Sequence, residues 1–134
     1  MDGVVLVDSS VLIGLLREGR DPAVELVGRA FASDLATCGM VRMEVLRGVM
    51  GRRAQQAVRE FLDVLRNVPT DNRVWEAATA LAWSLDRRGV TLPAQDILIA
   101  CCAQRIGAAV LTWDRHFQEI PDLRVIESLD ALGG

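Results

Sequence analysis

The sequence predicts an α/β domain built around a mostly parallel central sheet. Short apolar runs, of which Val4–Val7 is the first, alternate with longer segments in which apolar residues recur at helical spacing. That alternation is typical of parallel strands joined by helices that cover the sheet. The chain has 134 residues and 51% of them are hydrophobic, which suits one domain with a substantial core. We therefore expect residues 1–134 to form a single domain.

The first half of the chain begins with a continuous apolar strand, as expected where helices cover both faces of a sheet. Ser9 or Ser10 can cap the helix that follows, and Asp21-Pro22 is a strong signal for the start of the next one. The expected strands of this half lie at 4–7 and 35–38, and the expected helices at 11–17, 22–31, 41–47 and 52–65.

The second half begins at Pro69, which ends the fourth helix. Thr70 or Asp71 can cap a long helix that Gly89 closes, and Pro93 opens another. The expected elements here are helices that end near 88 and 106, strands at 108–112 and 123–126, and a turn at 114–117.

The composition narrows the class of protein. The net charge of -3 differs from the positive net charge that is typical of nucleic-acid-binding proteins. A cluster of acidic metal ligands would, however, make the net charge of such a protein more negative. All 15 positive residues are arginines, whose planar fork suits phosphate, with genome base composition as the alternative cause. Three cysteines without a C-x-x-C pair predict free thiols rather than a disulfide or a zinc site. Because no apolar stretch resembles a signal peptide or a membrane span, we expect a soluble, cytoplasmic protein.

Acidic side chains occur at four positions that suggest a shared site. Asp8 and Asp114 follow predicted strands, where sheets of this class bind their ligands. Asp96 shares a helix face with Ile99, and Glu44 lies on the small-residue side of its helix, so both face apolar surroundings. If the fold brings these acids together, their mutual repulsion calls for a divalent cation. Carboxylate donors favour Mg2+ or Mn2+ over zinc.

Each of these acids also has a purely structural interpretation. Asp8 can help to cap the helix after it, and Asp114 can cap a short terminal helix. Asp96 lies in the first turn of its helix, where the macrodipole favours an acid, and Glu44 can pair with Arg47. The joint pattern favours a metal site more strongly than any single acid does.

Four motifs, V-D-S-S, M-E-V-L-R-G, P-A-Q-D-I-L-I-A-C-C-A and L-T-W-D-R-H-F, resemble the acidic motifs of the PIN domain. Their order and spacing are similar to those of the small bacterial VapC toxins of type II toxin–antitoxin systems. The resemblance extends from about Val4 to Val125. It implies a three-layer α/β/α fold and a metal-dependent endoribonuclease that uses Mg2+ or Mn2+.

The resemblance also implies roles for individual residues. Ser9 stands where relatives place a small hydroxyl beside the first acid, near the substrate, and Glu44 would bind metal directly or through water. Trp113 and His116 stand where relatives often carry other residues, including a further acid. The implied catalytic set consists of acids that bind metal and one supporting hydroxyl: Asp8, Glu44, Asp96, Asp114 and Thr112.

Partners follow from the same resemblance: RNA as the substrate, a VapB-type antitoxin and a second copy of the chain in a homodimer. The arginine-rich stretch 42–66 is the expected phosphate-binding rim, with Arg52 and Arg53 as substrate-binding residues. The alternative, equally open, is a solvated helix face that pairs with acids of its own stretch. Trp75 and Trp83, eight residues apart on one helix, are expected in the core or in a subunit interface.

Other classes fit the residues less well. Receiver domains need a lysine, which this chain lacks, and haloacid-type phosphatases need an acid where Ser10 stands. Two alternatives stay open: a PIN-like domain that binds RNA or protein without cutting, and a PIN nuclease outside toxin–antitoxin systems. The complete set of four acids disfavours the first, and the short chain disfavours the second.

Overall fold

Five parallel strands form the central sheet in the computed structural model, which describes residues 3–133. Their order across the sheet is third, second, first, fourth, fifth, and every neighbouring pair is parallel. Val7 in the first strand pairs with Leu111 in the fourth, so the carboxyl ends of these two strands lie side by side. The strands are β1 (Val5–Val7), β2 (Leu35–Cys38), β3 (Arg66–Val68), β4 (Ala109–Leu111) and β5 (Val125–Ile126).

Helices cover both faces of this sheet. Every residue of β1, β2 and β4 is buried, as expected for a sheet enclosed on both sides. The described chain therefore forms three layers, α/β/α, and the predicted fold class is confirmed. The helices are α1 (Ser9–Arg17), α2 (Pro22–Val27), α3 (Gly39–Arg47), α4 (Arg52–Val64), α5 (Asn72–Arg87) and α6 (Ala94–Arg105), with short 3-10 helices at Ala32–Asp34, Arg115–Glu119 and Leu129–Gly133.

Helix α6 lies deepest in the core. All of its residues from 97 to 103 are buried, because it packs against α3, α5 and β4. The cysteines Cys38, Cys101 and Cys102 are free, as predicted, and all three are buried. None of the helices described between residues 3 and 133 has the length and hydropathy that crossing a bilayer requires.

Several sequence predictions differ from the structure. β3 has no predicted counterpart, because Arg66 and Asn67 are exposed polar residues at the edge of the sheet and show no apolar periodicity. α2 ends at Val27 rather than near 31, and a turn follows in which the backbone N–H groups of Arg29 and Ala30 both donate to the carbonyl oxygen of Leu26. The expected turn at 114–117 is the start of a short 3-10 helix, which Asp114 caps.

The N-cap of α1 is Asp8, so the expectation of a serine cap is wrong. Ser9 and Ser10 are the first two residues of the helix, and the Asp8 side chain accepts the backbone N–H of Ser10. An aspartate is as good an N-cap as a serine, and here the acid arrives first after the strand. The cap thereby fixes the Asp8 carboxylate at the carboxyl end of β1.

The two tryptophans of α5 are not core residues. Trp75 is 52% exposed and Trp83 is 62% exposed, so the core alternative is wrong for both. The guanidinium of Arg87 lies 4.9 Å from the centre of the Trp83 ring and covers part of it. Of the two expected places for these indoles, a subunit interface is the one that stays open.

Candidate active site

The carboxyl ends of β1 and β4 bring two acidic segments together. Asp8 directly follows β1, and its backbone N–H donates to the carbonyl oxygen of Leu111 at the end of β4, over 2.9 Å. Thr112 and Asp114 come directly after that strand. Ligands bind at this edge in parallel sheets, so the two predicted acids lie where a site is expected.

The Asp8 carboxylate is buried and only half of it is satisfied. The residue is 2% exposed. Its Oδ2 accepts hydrogen bonds from the hydroxyls of Ser10 and Thr112, over 2.7 and 2.8 Å, and from the Ser10 N–H. Its Oδ1 is buried and has no partner among the described residues. Such an oxygen costs free energy unless a group outside the chain binds it, so capping α1 does not fully account for Asp8.

Two hydroxyls hold Asp8 against the segment after β4. The hydroxyl of Thr112 donates to Asp8 and accepts the backbone N–H of Asp114 over 2.9 Å. The hydroxyl of Ser10 donates to Asp8 and accepts the backbone N–H of Trp113 over 3.0 Å. The Thr112 hydroxyl therefore links Asp8 to Asp114, and the Ser10 hydroxyl links Asp8 to the residue before Asp114. A supporting hydroxyl is the role predicted for Thr112.

Asp96 and Asp114 meet at the ring of His116. Asp96 lies in the first turn of α6, and its side chain is only 13% exposed. Its Oδ2 lies 2.8 Å from Nδ1 of His116, and the same nitrogen lies 3.1 Å from Oδ1 of Asp114. Asp114 also caps the 3-10 helix Arg115–Glu119 by accepting the backbone N–H of His116. Each of these side chains offers one ligand atom, and the three atoms lie within 4.8 Å of one another.

Glu44 reaches the site from α3. The Ser9 hydroxyl donates to Oε1 of Glu44 over 3.1 Å, so Ser9 contacts the second acid while its neighbour Ser10 contacts the first. Burial raises the pKa of Glu44, and the charge of Asp8 adds to this, whereas Ser9 and Arg47 lower it. The expected Arg47 interaction is therefore present as a nearby charge, but burial outweighs it.

The four acids form one electrostatic cluster. Burial raises the pKa of Asp96 to about 6, and the charges of Asp114 and Asp8 add to this against the hydrogen bond from His116. The pKa of His116 is raised above its ordinary value, mainly by its hydrogen bond to Asp96. Asp8 acts on Glu44 and Asp96 alike, so negative charge exceeds positive charge at this edge of the sheet.

The donor set fits a divalent cation. The cluster offers mostly carboxylate oxygens, which suit hard cations, and one of them is the buried Oδ1 of Asp8, for which residues 3–133 provide no partner. A cation there would satisfy that oxygen and offset the repulsion that raises the pKa of Asp96. Asp96, Asp114 and His116 have ligand atoms close enough to share an ion, and the charge of Asp8 acts on both Asp96 and Glu44.

The two predicted substrate-binding arginines lie outside this cluster. Arg52 and Arg53 are the first residues of α4, and both are exposed. An open groove extends from Glu44 along the end of α3 to Ala54, immediately after them. The structure therefore places the arginines beside a groove that begins at the second acid, not in contact with the acids.

Two residues of the cluster, Ser10 and His116, are not among the predicted site residues. Each stands two residues after an acid, Asp8 or Asp114, that caps the helix containing it. That spacing lets the capping carboxylate accept the backbone N–H of the second residue, which brings its side chain back toward the acid. The D-x-S and D-x-H spacing was thus the available signal.

The position of the Trp113 indole ring depends on a glycine of α1. A Cβ atom on Gly14 would lie 2.5 Å from Cζ3 of the indole, closer than atoms can pack. The ring is held from its other end, because its Nε1–H donates to the carbonyl oxygen of Glu127 over 2.9 Å. The absence of a side chain at position 14 therefore lets the segment between Thr112 and Asp114 lie against α1.

We expect Gly14→Ala to lower the free energy of unfolding relative to a matched glycine substitution. The indole must shift, and such overpacking costs about 1–3 kcal/mol. Gly39→Ala in the first turn of α3 is the control, because a Cβ there meets nothing within 4 Å. Urea unfolding of both variants measures the difference, and equal stability would show that the indole moves without cost.

Comparison with known proteins agrees with this fold. Residues 5–123 match the PIN domain family. Ribonuclease VapC4 of Mycobacterium tuberculosis is 30% identical over 123 residues, which cover 90% of this chain and 94% of that protein. The chain therefore belongs to the PIN domain family, and the resemblance to the VapC proteins is confirmed.

Solved structures show the same architecture at lower identity. The DNA-bound VapBC from Salmonella typhimurium has a TM-score of 0.78 at 22% identity, covering 92% of this chain and 97% of that one. A toxin–antitoxin complex from Klebsiella pneumoniae has a TM-score of 0.72 at 23% identity, covering 92% and 96%. These similarities concern the fold, and the chemistry depends on the residues described above.

Proposed function

We propose that this chain is a metal-dependent endoribonuclease that uses Mg2+ or Mn2+ and acts as the toxin of a VapBC-type toxin–antitoxin system. The observation that carries the proposal is the buried Asp8 carboxylate, whose Oδ1 has no partner among the described residues and whose charge acts on Glu44 and Asp96. The 30% identity to Ribonuclease VapC4 supports the reaction, and the single sheet of the described residues supports one domain over 1–134.

The four acids would hold the ion. Asp8, Asp96 and Asp114 would ligate it, and Glu44 would do so directly or through water. A divalent ion bound there lowers the pKa of a water molecule and offsets charge on the phosphoryl oxygens. The hydroxyls of Ser10 and Thr112 keep Asp8 in its orientation during the reaction. Hydrolysis would leave a 5′ phosphate and a 3′ hydroxyl.

Mapping of cellular RNA ends tests the proposed function. RNA is sequenced from cells after induced expression of the chain, with the Asp8→Asn variant as the control. We expect new 5′-phosphate ends at defined positions with the natural chain and none with the variant. Identical end profiles for the two chains would overturn the proposal. A non-cutting PIN-like domain predicts that identity, so the experiment also decides between these alternatives.

The rim formed by Arg52 and Arg53 is the proposed phosphate contact. The competing interpretation, in which this stretch pairs with its own acids, holds for Arg42, which binds Asp63 over 2.7 Å, whereas Glu60 accepts from a glutamine. Neither arginine of the rim has an ion-pair partner among residues 3–133. Both are therefore available for RNA.

We expect Arg52→Ala with Arg53→Ala to weaken RNA binding and to reduce its salt dependence. Loss of two contacts to single-stranded phosphates lowers the slope of log affinity against log salt by about 1.4. Binding is measured in the Asp8→Asn background so that the RNA stays intact. Arg105→Ala with Arg124→Ala is the control, because Arg105 ends α6 at the end opposite Asp96 and Arg124 precedes β5, whereas the other acids follow the carboxyl ends of strands or lie on α3. An unchanged slope in the rim variant contradicts the assignment.

The antitoxin contact is proposed at an apolar groove between α2 and α4. Val24 and Val64 on its walls are 67% and 62% exposed, and Phe61 forms part of its floor. Exposed apolar surface of this kind marks a protein contact. The occupant would be an apolar segment of a VapB-type protein encoded by the neighbouring reading frame. Co-purification with that product, and its loss in Val24→Asp, tests this contact.

A homodimer is proposed through α5, in which Trp75 and Trp83 form an exposed stripe two turns apart. Aromatic residues are enriched in subunit interfaces. Sedimentation of the natural chain against Trp75→Glu with Trp83→Glu tests it, and a monomeric natural chain would contradict it.

We also propose a cytoplasmic location without membrane attachment, which the three free cysteines support.

A further inference from the structure

His116 lies at the point where two acids of the site converge. Its Nδ1 is 2.8 Å from Oδ2 of Asp96 and 3.1 Å from Oδ1 of Asp114. The backbone of His116 is fixed as well, since its N–H donates to the same Asp114 oxygen over 3.0 Å. Ring and backbone are thus both tied to the acids, which gives this exposed side chain a defined position.

These distances match those between adjacent ligands of one metal ion, which would replace the proton that Nδ1 shares with Asp96 and release it to solvent. Ligands at about 2.1 Å from an octahedral ion lie about 3.0 Å from their nearest neighbours. The three ligand atoms of Asp96, Asp114 and His116 lie within 4.8 Å of one another, compatible with a shared ion. Asp8, whose charge acts on Asp96, is only 2% exposed, and its buried Oδ1 has no partner among the described residues.

We propose that His116 is a ligand of the metal site through Nδ1 and that it makes the site prefer Mn2+ to Mg2+. This inference rests on the proposed metal dependence of the nuclease. An imidazole nitrogen binds first-row transition ions better than Mg2+, which selects oxygen donors and water. A site of carboxylates alone gives much less discrimination, so the single histidine determines which ion the site retains.

The chain offers an unusually clean test, because it contains one histidine. Mn2+ is bound to the purified protein without RNA, and pulsed electron paramagnetic resonance records the coupling of the ion to nitrogen. We expect a 14N coupling that changes to a 15N coupling when only histidine is isotope-labelled. The same coupling disappears in His116→Gln. Arg115→Gln, an exposed neighbour in the same 3-10 helix, is the control and retains the coupling.

Affinities measured by calorimetry complete the test. Replacing a residue that merely orients a metal ligand already costs about 10–100-fold in affinity, so His116→Gln should weaken Mn2+ binding by at least about tenfold. Mg2+ affinity should change much less, so the ratio of the two affinities falls. Thermal unfolding of the variant checks that it folds.

The outcomes separate this inference from the proposed function. Mn2+ that binds without histidine coupling, or an unchanged ratio of Mn2+ to Mg2+ affinity in His116→Gln, overturns the role of His116 and leaves a carboxylate metal site standing. A natural chain that binds neither ion overturns the metal-dependent function together with the inference.

Discussion

Asp8→Asn is expected to reduce RNA cleavage by about 10³-fold or more while leaving the fold intact. The substitution keeps an oxygen that accepts from Ser10 and Thr112, and asparagine caps a helix as well as aspartate does. It removes the charge and one oxygen of the proposed metal site. Metal ions supply several kcal/mol of transition-state stabilisation, and each 1.36 kcal/mol corresponds to about a factor of ten in rate.

The matched control is Asp21→Asn. Asp21 caps α2 in the same manner, with its carboxylate accepting the backbone N–H of Ala23, and it is exposed. We expect this variant to cleave RNA at the natural rate and both variants to unfold near the natural temperature. Equal cleavage by Asp8→Asn and Asp21→Asn would mean that Asp8 is only a helix cap.

The second large effect is a divalent-ion stabilisation that depends on pH. Folding raises the pKa of Asp96 from 3.8 to about 6. The protonated carboxyl group therefore contributes to the stability of the fold, fully below pH 3.8, and this contribution is lost as pH rises through about 6. The raised pKa values of Glu44 and His116 have the same sign: each contribution is lost as pH rises through the folded-state pKa. The metal-free protein should therefore be less stable above these values than below them.

A divalent ion should reverse this loss, because it binds the ionised carboxylates and competes with protons for them. At a concentration of about 100 times the dissociation constant, binding stabilises the fold by about 2.7 kcal/mol, which corresponds to on the order of 10 °C in a domain of this size. We expect that increase in unfolding temperature at about pH 8 and a much smaller one at about pH 5.

Asp96→Asn provides the control for the thermal experiment. This variant removes the buried charge, so the metal-free form should lose less stability as pH rises and should gain little from added Mn2+ or Mg2+. An equal metal-induced increase in unfolding temperature in the variant and the natural chain would place the ion elsewhere.

The sequence was most informative where a residue's type conflicted with its surroundings. Asp8 and Asp96 were identifiable because acids in apolar company need an explanation, and the structure buries both side chains. The alternation of strands and helices predicted a parallel sheet for the same kind of reason, since apolar β-branched runs need cover on both faces.

Other features were not predictable because they depend on tertiary contacts. β3 is a short edge strand whose polar residues carry no periodicity, and only pairing with β2 makes it a strand. The D-x-H spacing relates His116 to Asp114, but its contact with Asp96 depends on α6 and the segment after β4 meeting at one point, which spacing within either segment cannot show. The sequence does not distinguish Gly14 from an ordinary helical glycine, because its importance comes from the packing of Trp113 against it.

The exposure of Trp75 and Trp83 could not be predicted for a related reason. Apolar spacing along a helix identifies a face, but not whether the chain itself or a second protein covers that face. The groove between α2 and α4 is similar, since its valines would fit a core equally well from the sequence alone.

The most direct test of the metal-dependent site is cleavage of a defined RNA by the purified chain, with the product ends identified chemically. We predict cleavage with Mn2+ or Mg2+ that yields 5′-phosphate ends, stops in excess chelator and is restored by added ion. Cleavage that continues in the chelator, or that leaves 2′,3′-cyclic phosphates, would contradict a reaction carried by Asp8, Asp96 and Asp114.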